Sequence, residues 1–367
     1  MKQISKKSSK LIGTKKSEQI KVCIRMRPLL IPYEEEALWH VDEDQKVVFS
    51  SSNDNNYLDF DSSPYLGGLS SDPRSNKISI DPTFNHTFQF DYVFGEQSNT
   101  PEIYHIIARP ITKASLIGYN GSIFMYGQTT SGKTYTMLGT PEIPGILPCT
   151  VRDIFIAISN NESQNEYKVW ISYLEIYNES INDLLNPGST NLKLKEDANY
   201  GTKVVGLKEQ QVWTFEQAII LMNYGEEHRV YKETSVHEHS SRSHTIFRIY
   251  IESQSKTGDQ PKNYSVLNLV DLAGSERLNE YESKKDISGE TGHINKSLFI
   301  LANVINKLAE NKHSHIPYRD SKLTRILSNA LGGNSLTAII CSISPAAINH
   351  YQTLSTLRFA SRAKIVK

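Results

Sequence analysis

The chain has 367 residues with 40 basic and 40 acidic side chains, and its net charge of zero excludes capture of polyanions by bulk attraction. Any acidic partner must therefore be met by a local patch, and neither nucleic acid nor a membrane is an expected partner. Hydrophobic residues at 38%, with 19 tyrosines and 12 phenylalanines, exclude a disordered chain and suffice for one large domain.

In chain order, residues 1–19 are basic and Ser-rich without periodicity, which predicts a flexible tail. Residues 1–21 hold seven lysines against one glutamate. The tail lacks an apolar signal core, no stretch approaches a membrane span, and Cys23, Cys149 and Cys341 stand too far apart for a metal motif or disulfide framework. A cytoplasmic protein is expected. The apolar, β-branched run Ile20–Met26, stopped by Pro28, predicts a buried strand, and the Ser/Asn/Asp/Pro/Gly-rich residues 51–83 predict a surface insertion. Strand-like runs follow at 88–94, 121–127, 167–178, 244–253, 265–272 and 336–344. Among the helical patterns between them is 294–310, where Ile294, Leu298, Leu301, Ala302, Ile305 and Leu308 recur at helical spacing with Lys296 and Lys307 on the other side. Such alternation predicts an α/β fold with a mostly parallel central sheet and helices on both faces.

Gly127 to Thr134 reads GQTTSGKT, a G-x-x-x-x-G-K-T phosphate loop directly after a predicted strand. Its glycines let the backbone curl so that N–H groups of Gln128, Thr129, Thr130 and Ser131 face phosphate oxygens. Lys133 would bridge the β- and γ-phosphates, and the Thr134 hydroxyl would sit on Mg²⁺. A second element, LNLVDLAGSE, ends an apolar strand in Asp271 and places Gly274 three residues on. Alone it is a common strand and turn; beside a phosphate loop it reads as a metal-side carboxylate and a γ-phosphate sensor. The nearest approach to the guanine motif, Ser283-Lys284-Lys285-Asp286, has the wrong first residue, so ATP is preferred over GTP.

With SSRSH at Ser240 to His244 the chain resembles a kinesin motor domain from about Ile20 to Lys367. IRMRP at 24–28, FDYVFGEQSNTPEIY at 90–104, YLEIYNESINDLL at 173–185, HIPYRDSKLTRIL at 315–327 and LRFASRAK at 357–364 fit the same order. The switch I string and the FASRAK ending are similar to the CENP-E type. The resemblance implies that Ser240 closes on Mg²⁺, Ser241 on the γ-phosphate, and that Arg242 bridges to Glu276, the proton acceptor acting through a water. A Ser/Arg/His run is otherwise a solvated loop. Adenine would lie between Arg25, Arg27 and Pro28 on one side and Tyr135, otherwise a core tyrosine, on the other. His237 replaces the asparagine usual in kinesins three residues before Ser240, either a tolerated surface change or altered phosphate handling.

The second basic stretch, 293–325, carries six Lys/Arg against two acids. In kinesins it faces the acidic surface of tubulin, which makes Lys296, Lys307, Lys312, Arg319, Lys322 and Arg325 the expected microtubule contacts; a solvated helix face is the plain alternative. The resemblance thus implies an ATP- and Mg²⁺-dependent, microtubule-stimulated motor at microtubules and the spindle. An N-terminal motor with a short leader implies plus-end direction, and dimerisation is left to segments outside this chain. The rival reading is a microtubule tether without ATPase activity.

Overall fold

The computed structural model describes residues 19–34, 36–51, 86–197, 201–233, 239–258, 261–276, 290–310 and 315–366. The predicted tail and insertion lie outside these residues, Gln19 and Ser51 apart. The described residues form fourteen strands: β1 (Lys21–Met26), β2 (Trp39–Asp42), β3 (Val47–Ser50), β4 (Thr87–Gln89), β5 (Tyr92–Phe94), β6 (Gly121–Tyr126), β7 (Asn165–Tyr177), β8 (Ser180–Asp183), β9 (Lys193–Asp197), β10 (Gly201–Val205), β11 (Gln210–Val212), β12 (His244–Ser255), β13 (Asn263–Asp271) and β14 (Leu336–Ile343).

Nine of them build the central sheet in the order β11-β7-β12-β13-β6-β14-β1-β5, with β8 on β7. From β13 to β5 every ladder is parallel, whereas β12 runs antiparallel to both β13 and β7. The fold is α/β with a mixed, mostly parallel sheet, and its parallel half carries the phosphate loop. All six residues of β6 are buried, as a strand covered on both faces requires. Side chains alternate between two cores. Ile123 and Met125 face Ile107, Ile111, Met137 and Leu147 on one side, while Phe124 and Tyr126 join Leu301, Ile305, Leu357 and Phe359 on the other. Tyr126 stacks on Phe359 at 3.8 Å between centroids.

The predicted helix at 294–310 is present as Glu290–Ala309, and a final helix, His350–Ala363, closes the same face. The predicted run 88–94 divides into β4, which joins the small sheet β2-β3-β4, and β5 of the central sheet; β2, β3 and the pair β9-β10 were not evident in the sequence. No helix among the described residues is long and apolar enough to cross a membrane. Since β6 lies between the parallel strands β13 and β14, the loops leaving β6 and β13 emerge side by side at the carboxyl end of the sheet, where open α/β sheets bind ligands.

Candidate functional site

The phosphate loop leaves β6 at Gly127, whose φ of +146° and approach to the Ser342 carbonyl leave no room for a Cβ. Gly132, at φ +94°, turns the chain into the helix Lys133–Leu138. Between them, Gln128 O accepts from Ser131 Oγ at 2.7 Å and from Lys133 Nζ at 2.8 Å. Lys133 is only 7% exposed. Burial holds its ammonium below the usual lysine pKa, against the opposing pull of Asp271 and Glu276.

Thr134 Oγ1 donates to Asp271 Oδ2 at 2.7 Å, bringing the two predicted metal-side groups together across the mouth of the loop. Asp271 is 3% exposed, and its Oδ1 has no hydrogen-bond partner among the described residues. A hydroxyl beside a buried carboxylate with an unpaired oxygen fits Mg²⁺, a hard cation that takes few protein oxygens. Ser240 lies in the short helix His239–Arg242, but its side chain and His237 lie outside the described residues.

Arg229, on the helix Phe215–Glu233, was missed by sequence reasoning. Its Nη1 lies 3.7 Å from Asp271 Oδ2 and 3.6 Å from Glu226 Oε2. Burial opposes its charge, yet Asp271 and then Glu226 raise its pKa above that of a free arginine. Glu226, which accepts from the Tyr173 hydroxyl, is pushed up by burial. A lone arginine inside a helical pattern carries no motif that would have found it.

The loop and both switch segments meet through the backbone. Gly274 N–H donates to Ser241 O at 2.8 Å, and Ser275 N–H donates to Gly127 O at 3.0 Å. The expected Arg242–Glu276 bridge is not the contact formed, and no ion pair among the described residues joins the two. Glu276 instead accepts from Thr129 N–H at 2.8 Å and from the Thr129 hydroxyl. Two donors of the phosphate loop satisfy the carboxylate locally, which removes its need for a guanidinium. One residue beyond the SSRS serines, His244 accepts at Nδ1 from Ala273 N–H (3.0 Å). Its Nε2 therefore carries the proton and donates to Ser297 Oγ (2.7 Å) on the helix Glu290–Ala309. Burial, with Arg229 and Lys133 nearby, lowers its pKa to about 3, so the ring is neutral.

On the base side, Pro28 and Tyr135 are exposed. Arg25 is buried. Its guanidinium lies over the Tyr135 ring, 5.2 Å from the centroid, and donates to Thr100 Oγ1 and Thr136 Oγ1. The two hydroxyls supply the acceptors that a buried guanidinium requires and hold it against the tyrosine. Arg27 is buried too, with Nε donating to Thr130 O at 2.8 Å.

Lys296, Lys307 and Arg319 are exposed. Lys307 pairs with Glu310 at 3.6 Å, Arg325 with Glu196 at 3.0 Å, and Lys322 Nζ donates to Asn191 Oδ1 at 3.4 Å. Lys312 lies outside the described residues. Glu179 at the β7–β8 turn accepts from Ser321 Oγ and Lys322 N–H, each at 2.8 Å, and so caps the helix Lys322–Ile326.

A phosphate loop after a parallel strand, a buried aspartate at the end of the next one and two touching switch segments define a P-loop nucleotide switch. Residues 42–366 match the kinesin motor domain. The chain is 46% identical over 353 residues to Kinesin-related protein 4 of Dictyostelium discoideum, covering 95% of this chain and 17% of that protein. It is 50% identical over 291 residues to Kinesin-like protein KIN-7L of Oryza sativa subsp. japonica, covering 78% and 45%. A solved structure of a fast kinesin superimposes with a TM-score of 0.80 at 37% identity, over 95% of this chain and 92% of the other. The chain belongs to the kinesin motor domain family. It spans less than half the length of these two relatives. Plant relatives carry the KIN-7 designation, and the CENP-E-type assignment rests on the motifs alone.

Proposed function

We propose that this domain hydrolyses ATP to ADP and phosphate with Mg²⁺ and couples that cycle to microtubule binding. The observation that carries the reading is the junction of three segments: Ser275 N–H on Gly127 O and Gly274 N–H on Ser241 O. Through it, a change at the γ-phosphate side of the loop moves both switches at once.

In this reading Lys133 and the amides of residues 128–132 hold the phosphates. Thr134, Ser240 and Asp271 hold Mg²⁺, which when bound neutralises charge on the phosphate oxygens. Ser241 and Gly274 orient the terminal phosphate, and Glu276, once it exchanges Thr129 for Arg242, accepts through a second water the proton that the attacking water releases. Tyr135, Pro28, Arg25 and Arg27 border the base. Lys296, Lys307, Lys312, Arg319, Lys322 and Arg325 present the basic face to acidic tubulin. His244 supports the coupling by joining Ala273, next to Gly274, to Ser297 on the helix that carries Lys296. Plus-end direction, dimerisation of the full-length protein and spindle localisation rest on the resemblance alone.

Steady-state ATPase with and without microtubules tests the reading. Stimulation of about tenfold or more is expected, equal to ~1.4 kcal/mol in the limiting barrier. An unstimulated rate at low salt, where charge steering is strongest, would favour the tether.

A further inference from the structure

Glu34 is a buried carboxylate with no part in phosphate or metal binding, 8% exposed. Its Oε2 accepts from Arg27 Nη1 at 2.7 Å and from Leu30 N–H at 2.9 Å. Its Oε1 accepts from Arg27 Nη2 at 2.6 Å, Asn349 Nδ2 at 2.9 Å and Ser344 Oγ at 3.4 Å. The pair with Arg27 is bidentate, the geometry in which a planar guanidinium is held most firmly. Two further donors of Arg27 go to Thr130 O of the phosphate loop and to Pro28 O.

Sheet topology explains why these groups converge. β1 and β14 are parallel neighbours, with Met26 opposite Ile343, and Arg27 N–H still reaches Ile343 O at 3.2 Å. The two strands leave the sheet side by side, and Glu34 stitches their exits together. Asn349 stands immediately before the helix His350–Ala363, whose first turn is tied to the same place by Thr353 Oγ1 on Ser344 O at 2.9 Å.

We propose that Glu34 is a positioning residue for the base side of the nucleotide site: it holds Arg27 and Pro28 as a fixed wall and ties that wall to the start of the C-terminal helix. The inference rests on the proposed placement of the base beside Pro28 and Tyr135. An arginine free to rotate loses that freedom when a ligand binds, whereas one already held by Glu34, Thr130 and Pro28 loses little, so the wall is preorganised. The bidentate partner also neutralises Arg27. Arg27 therefore contributes shape and not attraction for phosphates, and the effects of Glu34 on base and phosphate should separate.

Binding of ADP and, separately, of inorganic pyrophosphate is measured by calorimetry with Mg²⁺ for the parent, Glu34→Gln, Asn349→Ala and the double variant. In Glu34→Gln one amide N–H₂ is forced against the donors of Arg27, Leu30 or Asn349, and ADP affinity is expected to fall about tenfold. Pyrophosphate affinity should stay within about twofold, because the phosphate loop keeps its own bonds. Asn349→Ala should cost about threefold for ADP alone and add nothing to Glu34→Gln, since it acts through the same carboxylate. Equal losses for both ligands would make Glu34 a general support of the fold or loop and overturn the proposal. Tightening of both would make its role purely electrostatic, with the same consequence. Parental ADP affinity in either single variant, or additive losses, would also sink it. Asn349→Ala leaves the Arg27–Glu34 pair intact and carries the test if Glu34→Gln does not fold. Tyr135→Ala separates the two levels: if it leaves ADP affinity unchanged, the placement of the base fails, and if it selectively weakens ADP while Glu34→Gln does not, the positioning role alone fails.

Discussion

Lys133→Ala is expected to reduce ATPase kcat/KM by about 10³ or more, ~4 kcal/mol of lost transition-state stabilisation. The ammonium is buried in the loop, where its field is poorly screened, and the amides of residues 128–132 cannot by themselves balance a triphosphate. The fold should tolerate the change. Gln128 O keeps the Ser131 hydroxyl as a donor, and Ser275 N–H still anchors Gly127 O. Removing a desolvated charge also relieves a cost, so thermal unfolding should move by no more than ~1 kcal/mol while turnover collapses. Steady-state ATPase beside a thermal melt separates the two outcomes, and undiminished turnover in a folded variant would discard the phosphate-site assignment.

The phosphate loop was legible because its chemistry is local: a buried strand, two glycines that take positive φ, and a lysine and threonine following directly. The same holds for the helix Glu290–Ala309, whose apolar stripe is a property of one segment. Groups whose meaning depends on distant partners were not legible. Glu34 meets Asn349 across 315 residues, and Arg229 reaches Asp271, at the end of β13, from a helix, so neither leaves a pattern in its own neighbourhood. Strand direction was hidden for a similar reason. β7 and β12 are apolar runs like β6, and only the register that pairs Phe247 with both Tyr173 and Leu269 shows that β12 runs against its neighbours. The β9–β10 pair is charged along β9, at Lys193, Lys195, Glu196 and Asp197, with Leu194 opposite Val204, and offers little apolar alternation to read. Motif logic placed Arg25 and Tyr135 in one site, but their contact depends on Thr100 and Thr136, which take the guanidinium and lie far from Arg25 in the sequence.

Arg242→Ala and Glu276→Ala are each expected to slow single-turnover hydrolysis by about 10² or more, ~2.7 kcal/mol, while ATP affinity stays within a few-fold of the parent. The expectation follows from what each group touches. Glu276 is held by Thr129, and in the proposed mechanism it must leave those donors for Arg242 as the switches close around the attacking water. An exposed ion pair would contribute under ~1 kcal/mol, so the value of this one is geometric: it forms only when both switches are in place. Removing either partner already prevents closure, and the double variant should be about as slow as the worse single one. Glu276→Ala should be the slower of the two, since it also removes the proton acceptor, and it frees Thr129 N–H in the phosphate loop. Nucleotide binding measured apart from hydrolysis keeps the two steps distinct. Strictly additive losses, or near-parental hydrolysis in either single variant, would show that Arg242 and Glu276 do not act as one unit, and the contact between Glu276 and Thr129 would then be the functional one.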